Sequence, residues 1–285
     1  MTAELNIVNA FTNQGSGGNP AAVVLNAERF TQEQKRLIAA RAGLSETAFV
    51  SASSVADFKL EFFTPTRQIP HCGHATIATF YYLNQLGKTD NKAMVVKETI
   101  DGNREIHFKN GLVYMQQKAP VFTDPVAEDI TKIFASLGLD VGHMPLPKIV
   151  NTGNSFMIIQ VATEDALANL TPDFAAIAQL SNKYNLTGFY VFTAAKGNTD
   201  VTTRMFAPSY GINEESATGM AAGTLGPYLY HFVKQQGTYI IEQGKFMAEP
   251  SPSLIRVDLE LKDGKIESVF AGGKAALSNI ILIDI

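Results

Sequence analysis

The chain has 285 residues, of which 46% are hydrophobic and 18% charged, a normal globular balance with room for two domains. No apolar run approaches the ~20 residues of a membrane span, and Met1-Thr2-Ala3-Glu4 lacks the basic and apolar regions of a secretory signal. A net charge of -4 with no basic run argues against nucleic acid or anionic membrane as partner, and a single cysteine excludes an internal disulfide, which fits a reducing cytoplasm.

Residues 5–11 alternate as a strand does, and residues 21–25 form a second apolar run. Between them stands Gly15-Ser16-Gly17-Gly18-Asn19-Pro20. A phosphate-binding glycine turn must open onto a helix, and this one opens onto a proline and a β-branched run. It reads instead as a turn that exposes backbone. Thr31-Gln32-Glu33-Gln34 is a capping box, and its helix runs through Leu37 and Ile38 to Gly43. Phe49 and Val50 look like strand interior, which puts Glu46 at the mouth of an apolar strand. A carboxylate there is either a solvated loop charge or a general base whose pKa is raised by partial burial.

The stretch from residue 62 to residue 80 reads as a strand, a proline-punctuated loop and a helix starting near Gly73, with Gly87 as its stop. Cys72, Gly73 and His74 thus lie where a helix presents free N–H groups and the positive end of its dipole. The alternative is a buried helix whose first turn merely contains a thiol and an imidazole. His71, Cys72 and His74 cannot all face one ion from four residues of a helix start, so no metal is expected. Residues 93–99, 104–108 and 112–115 read as strands joined by turns at Asp101-Gly102 and Asn110-Gly111. The domain boundary falls near residue 119, giving segments 1–118 and 119–285, with a helix near residues 126–137.

The second segment repeats the first at a nearly constant spacing. Ile149-Val150-Asn151 matches Ile7-Val8-Asn9. Thr171-Pro172-Asp173, read as a capped start with proline at the first helical position, matches Thr31 onward. Leu186-Thr187-Gly188 matches Leu44-Ser45-Glu46, Phe206-x-Pro208 matches Phe63-x-Pro65, and Gly219-Met220-Ala221 matches Gly73-His74-Ala75. This is an internal duplication. Gly188 matches Glu46, so only one half carries the acid. Residues 238–242, 254–259 and 266–270 read as strands, residues 271–275 as a tight turn, and residues 277–285 as a last strand free to cross back to the first half. Each half is then a sheet wrapped around one central helix, an α+β fold.

Asn19-Pro20-Ala21, Glu46-Thr47-Ala48-Phe49, Phe63-Thr64-Pro65, Cys72-Gly73-His74-Ala75-Thr76, Arg204-x-Phe206-x-Pro208 and Ala217-Thr218-Gly219 together resemble the PhzF family of phenazine-biosynthesis-like isomerases. The resemblance runs from residue 5 to about residue 275. It implies a diaminopimelate epimerase-like fold, two pseudo-symmetric halves of curled, mostly antiparallel sheet, with the active site in the cleft between them. The implied activity is isomerisation or epimerisation of a small carboxylic acid without a cofactor or metal. Glu46 matches the family's acid/base and His74 its active-site histidine. Glu215 falls at the catalytic Asp position, Met220 where the best-studied isomerases carry Ser, and Gln68 where many members have Glu. Asn19, Cys72, Gly73, Thr218, Gly219 and Met220 are the expected substrate-binding positions. The expected partner is a small anionic metabolite, aromatic or amino-acid-like, and the expected assembly is a cytoplasmic homodimer. On this reading Glu46 is useful only if desolvation raises its pKa toward neutrality. Two other readings stand beside it. Cys72 and Thr218 occupy the positions of the paired thiols of related racemases; one cysteine excludes a two-thiol mechanism, but a Cys/Thr pair resembles the hydroxyproline dehydratases of the wider superfamily. Met220 and Gln68 favour a family member that binds a metabolite without turning it over.

Overall fold

The computed structural model describes residues 1–285 and divides the chain into two units, residues 1–116 with 272–285, and residues 117–271. In chain order the first unit contains β1 (Thr2–Ala10), β2 (Asn19–Val24), α1 (Gln32–Ala42), β3 (Thr47–Ser51), β4 (Phe58–Phe63), β5 (Gln68–Ile69), α2 (Gly73–Gln85), β6 (Met94–Thr99), β7 (Gly102–Lys109) and β8 (Leu112–Lys118). The second contains β9 (Val121–Thr123), α3 (Ile130–Ala135), β10 (Lys148–Asn151), β11 (Ser155–Gln160), α4 (Glu164–Ala168), α5 (Phe174–Tyr184), β12 (Gly188–Ala194), β13 (Val201–Ala207), β14 (Ile212–Glu215), α6 (Gly219–Phe232), β15 (Thr238–Gln243), β16 (Ser253–Lys262) and β17 (Lys265–Gly273). The last strand is β18 (Ala275–Asp284).

The two units share one pairing scheme. In the first, β1 is antiparallel to β18 and β2, β2 is parallel to β3, β3 antiparallel to β4, β4 parallel to β6, and β6, β7 and β8 follow as an antiparallel meander. In the second, β10 is antiparallel to β9 and β11, β11 is parallel to β12, β12 antiparallel to β13, β13 parallel to β15, and β15 antiparallel to β16. The registers agree as well: Thr47 faces Phe63 on β3–β4, and Phe189 faces Phe206 on β12–β13. This is the α+β architecture that the repeated segments imply.

The segment expected over residues 119–285 ends earlier. Residues 272–285 belong to the first unit because β18 pairs with β1 along its whole length, from Thr2 opposite Asp284 to Ala10 opposite Ala275. Nor are residues 271–275 a tight turn. Strand β17 runs through Gly273, β18 begins at Ala275, and the intervening Lys274 accepts a bond from the Thr12 N–H on its carbonyl.

Each unit has one buried helix and a matching outer helix, and the second has α3 and α4 besides. Helix α2 packs against β1, β2, β3 and β18, and its residues from Gly73 to Phe80 are all buried. A helix with no polar face must lie inside the fold. Its polar side chains are satisfied locally: the Thr76 and Thr79 hydroxyls donate to the Cys72 and Ala75 carbonyls at 2.6 and 2.7 Å. Helix α6 plays the same part in the second unit, and Gly226 lets it approach β16, since a Cβ there would lie 2.5 Å from Val257 Cγ1. On the opposite sheet face, α1 joins Ile38 and Ala39 to Leu5, Val24, Phe49 and Phe63. Helix α5 likewise joins Ile177 and Leu180 to Phe189, Val191 and Phe206. Strand alternation separates the two faces of the first sheet, for Leu5 lies with α1 while the next residue, Asn6, accepts a bond from Tyr82 of α2.

Helix α1 begins at the capping box, with Thr31 and Gln34 exchanging both bonds, and ends at Gly43 in the left-handed region. Helix α5 begins later than Thr171 suggests. Its cap is Asp173, whose carboxylate accepts from the Ala175 and Ala176 amides at 3.0 Å each. A carboxylate satisfies two free amides at once and meets the helix dipole with negative charge, which a threonine hydroxyl does not.

Candidate active site

Glu46 sits one residue before β3, and its carbonyl accepts from the Ala22 N–H of β2 at 3.2 Å. Its side chain is thereby held under the start of α2, where Glu46, Cys72 and His74 are all buried. His74 Nε2 lies 3.2 Å from Glu46 Oε2. That separation is short enough for charge attraction, yet the alignment is not that of a hydrogen bond, and Oε2 has no hydrogen-bond partner. Cys72 Sγ also approaches the imidazole, 3.6 Å from Nδ1 and 4.0 Å from Nε2. Asn19, the first residue of β2, is buried opposite Ala10 of β1. The preceding Gly18 is obligatory: its φ is +86° and a Cβ would lie 2.5 Å from the Ala10 carbonyl oxygen.

Burial pushes the Glu46 carboxyl up, but the His74 imidazole and the Ser45 side chain outweigh it and leave the group below its ordinary value. The expectation of a carboxyl raised toward neutrality is therefore corrected, because a basic partner at 3.2 Å favours the carboxylate more than desolvation disfavours it. Burial has the opposite result for Cys72, whose thiol is raised despite His74, with Glu46 adding to the rise. The helix terminus does not make it a thiolate.

The single acid has a steric reason. At Gly188, the match of Glu46 in the second unit, a Cβ would lie 2.3 Å from the Phe206 carbonyl oxygen and 3.1 Å from Ala207 Cβ. No side chain of any kind fits there.

In the second unit Glu215 ends β14, and Thr218 is the N-cap residue of α6. The Thr218 hydroxyl donates to Glu215 Oε2 at 2.5 Å, so it does not cap the helix. Gln243 organises this end from beneath. Its Oε1 accepts from the Thr218 N–H at 3.2 Å and from the Tyr190 hydroxyl at 3.0 Å, while its Nε2 donates to the Glu215 carbonyl at 2.7 Å. Gln117 supports the next residue by donating to the Gly219 carbonyl at 2.9 Å. Gly219 is buried and Met220 half-buried at the first two helical positions. Arg204, part of the motif that carries the resemblance, is engaged elsewhere: it makes a two-pronged ion pair with Glu214 and donates to the Leu167 and Ala168 carbonyls. Its role is structural.

Sequence reasoning missed Gln243 and Lys97. The burial of alternate residues along β15 is the signal for Gln243, which follows Tyr239 and Ile241 on the inward face. Lys97 is fully buried between β6 and α2, donating to Thr76 Oγ1 at 2.6 Å and lying 3.1 Å from His71 Nδ1. Burial, with the nearby Lys97, holds His71 well below the usual imidazole range. A lysine in a β-strand gives no sequence signal of burial. Gln68, half-buried on β5, faces Phe63 across a short antiparallel pair.

No helix is long and apolar enough to cross a membrane. The doubled α+β architecture, with one buried helix in each unit, recurs in solved structures. A hydroxyproline epimerase from Agrobacterium vitis, solved with trans-4-OH-L-proline bound, shares the fold with a TM-score of 0.61, at 13% identity and 99% coverage of this chain and 92% of that one. The family model for phenazine biosynthesis-like proteins matches residues 8–279, and the chain belongs to this family. The crystal structure of a PhzF-family phenazine biosynthesis protein from Bacillus anthracis is similar along 100% of both chains, with a TM-score of 0.89 and 28% identity. The uncharacterized isomerase YddE of Escherichia coli (strain K12) is 30% identical over 289 residues, 97% of each chain. The protein is an isomerase of the PhzF-like type.

Proposed function

We propose that the protein isomerises or epimerises a small anionic carboxylic acid without a cofactor, with Glu46 as the acid/base. The observation that carries this reading is the buried Glu46–His74 pair, with Oε2 and Nε2 3.2 Å apart. Although its pKa is not raised toward neutrality, a carboxylate that is ionised and desolvated, with one oxygen lacking a hydrogen-bond partner, has a lone pair available for a carbon-bound proton. His74 beside it stabilises the anionic form before transfer and can take up or return a proton afterwards, so no external acid is required. Low polarity around the pair strengthens both effects.

The second constellation is suited to holding a carboxylate. Thr218 does not spend its side chain on capping its helix, so the first-turn amides of Gly219 and Met220 receive nothing from it. Such amides and the helix dipole favour negative charge. Thr218 holds Glu215 in place, and we assign Glu215 to a second proton-transfer role at that end. Cys72 is a poor base, since its thiol is buried and raised. Asn19 and Met220 are assigned to substrate contact.

The test is solvent deuterium exchange, followed by mass spectrometry, into a panel of small aromatic and amino acids. Glu46→Gln keeps shape but cannot carry the proton, and should cost about 10²–10⁴ in exchange rate. Cys72→Ser should cost far less. Exchange that survives Glu46→Gln and is abolished by Cys72→Ser or by iodoacetamide would overturn the assignment in favour of the thiol.

A further inference from the structure

The trio of His71, Cys72 and His74 is not a metal site, because His71 is engaged by Lys97 on another side. A different trio has taken its place. We propose that Glu46, Cys72 and His74 form a three-ligand site for Zn2+, and that the ion blocks the acid/base pair reversibly.

The potential ligand atoms of these residues all lie within 4.8 Å of one another. Tetrahedral zinc has bonds of about 2.0–2.3 Å to oxygen, nitrogen and sulfur, which sets ligand atoms roughly 3.3–3.6 Å apart. The Nε2–Oε2 separation is 3.2 Å, but Sγ lies nearer Nδ1, at 3.6 Å, than Nε2, at 4.0 Å, so the thiol must swing toward Nε2 before all three atoms reach one ion. The donor set is one thiol, one imidazole and one carboxylate. That mixture selects zinc over magnesium or calcium, which prefer oxygen alone.

Two further features point to a cation. Glu46 is only 7% exposed, yet its Oε2 has no hydrogen-bond partner, so an acceptor that has already lost its water stands ready for a ligand. Charge also balances: the Glu46 carboxylate and a Cys72 thiolate neutralise the two positive charges, so the positive end of α2 does not repel the occupied site. Binding converts the Cys72 thiol to a metal thiolate and releases one proton to solvent, with no change in oxidation state. Three protein ligands leave a fourth position for water.

Binding itself stands apart from the isomerase reading; only the inhibition rests on it. Once coordinated, Nε2 has no lone pair left for a proton, and the charge of the ion lowers the basicity of the Glu46 carboxylate. The experiment titrates the full-length protein with Zn2+ by calorimetry, in buffers of different ionisation enthalpy, and with Cd2+ by ultraviolet absorption. A single ion per chain with a Kd tighter than about 1 µM is expected, with a proton released and a thiolate-to-cadmium charge-transfer band. Cys72→Ser should abolish the band. Cys72→Ser and Glu46→Gln should each weaken Zn2+ binding by at least the roughly 10–100-fold seen for loss of an outer-shell partner. The control His143→Gln, at an exposed imidazole, should leave binding unchanged. Circular dichroism establishes that each variant is folded, and Cys72→Ala replaces Cys72→Ser if that variant is not. A Kd weaker than about 1 µM, an absent charge-transfer band, or affinity unchanged in both ligand variants would overturn the site. Tight binding with no loss of deuterium exchange would leave the site standing and refute the isomerase role of the pair.

Discussion

Lys97→Met offers a direct measure of what the core behind α2 costs. Burial lowers the Lys97 ammonium from 10.5 to about 7, with Arg104 lowering it further while Cys72 and Asp101 act to raise it. A shift of that size is equivalent to ~5 kcal/mol of penalty on the charged form. Replacement by the similarly shaped Met removes the penalty but forfeits the bonds to Thr76 Oγ1 and His71 Nδ1. Losing those two partners costs about 1–2 kcal/mol each. The balance at neutral pH is a net stabilisation of ~2 kcal/mol, or roughly 4–6 °C in Tm for a chain of this size. The sign of the pH dependence follows from linkage. Between about 7 and 10.5 the unfolded chain carries a proton on Lys97 that the folded chain has shed, so wild-type stability rises with pH across that window. The advantage of the substitution therefore shrinks as pH rises from neutrality toward 10. Thermal melts of both proteins across that range test the argument, since titrations common to the two cancel in the difference. A substitution that destabilises by an amount independent of pH would refute it, and would mean that Lys97 is a well-compensated cation.

Three other outcomes are expected. Because His74 holds Glu46 below its ordinary value of 4.5, exchange activity should stay level from neutral pH down to that value and fall only below it; an acid limb beginning near pH 6.5 would instead report titration of an imidazole. Gly188→Ala should destabilise by about 1–3 kcal/mol in urea unfolding, since its Cβ meets the Phe206 carbonyl oxygen, and a neutral effect would undo the steric account of the missing second acid. Gln243→Leu leaves the Thr218 N–H without its acceptor and deprives the Tyr190 hydroxyl and Glu215 carbonyl of their shared partner. It should cost about 1–3 kcal/mol in stability and raise KM more than it lowers kcat, whereas equal changes in both would argue against a role in binding.

Much of the fold was legible because it rests on local signals written twice. The Thr31 capping box, the Gly73 helix start and the Phe63/Phe206 echo are short-range patterns, and α1, α2 and the matching strand registers follow them. The groupings were legible too: Glu46, Cys72 and His74 could be named, as could Glu215 and Thr218, and the fold brings each group together. Where one signal competed with another, the reading slipped. Thr171-Pro172-Asp173 offers two capping residues, and the carboxylate takes the position because it can bond two amides.

By itself, then, the sequence determined the doubled α+β plan and which residues are candidates for chemistry, since periodicity, caps and repeated motifs are properties of neighbouring positions. Only the tertiary structure decided what those residues are chemically. Partial burial alone would raise Glu46 and a helix start alone would favour a Cys72 thiolate, yet the structure reverses both directions. It also decided that β18 completes the first unit, that Gly188 has no room for an acid, and that Lys97 and Gln243 brace the two helix starts. The physical reason is that pKa, steric room and hydrogen-bond satisfaction depend on atoms brought within a few ångströms by chain segments distant in sequence.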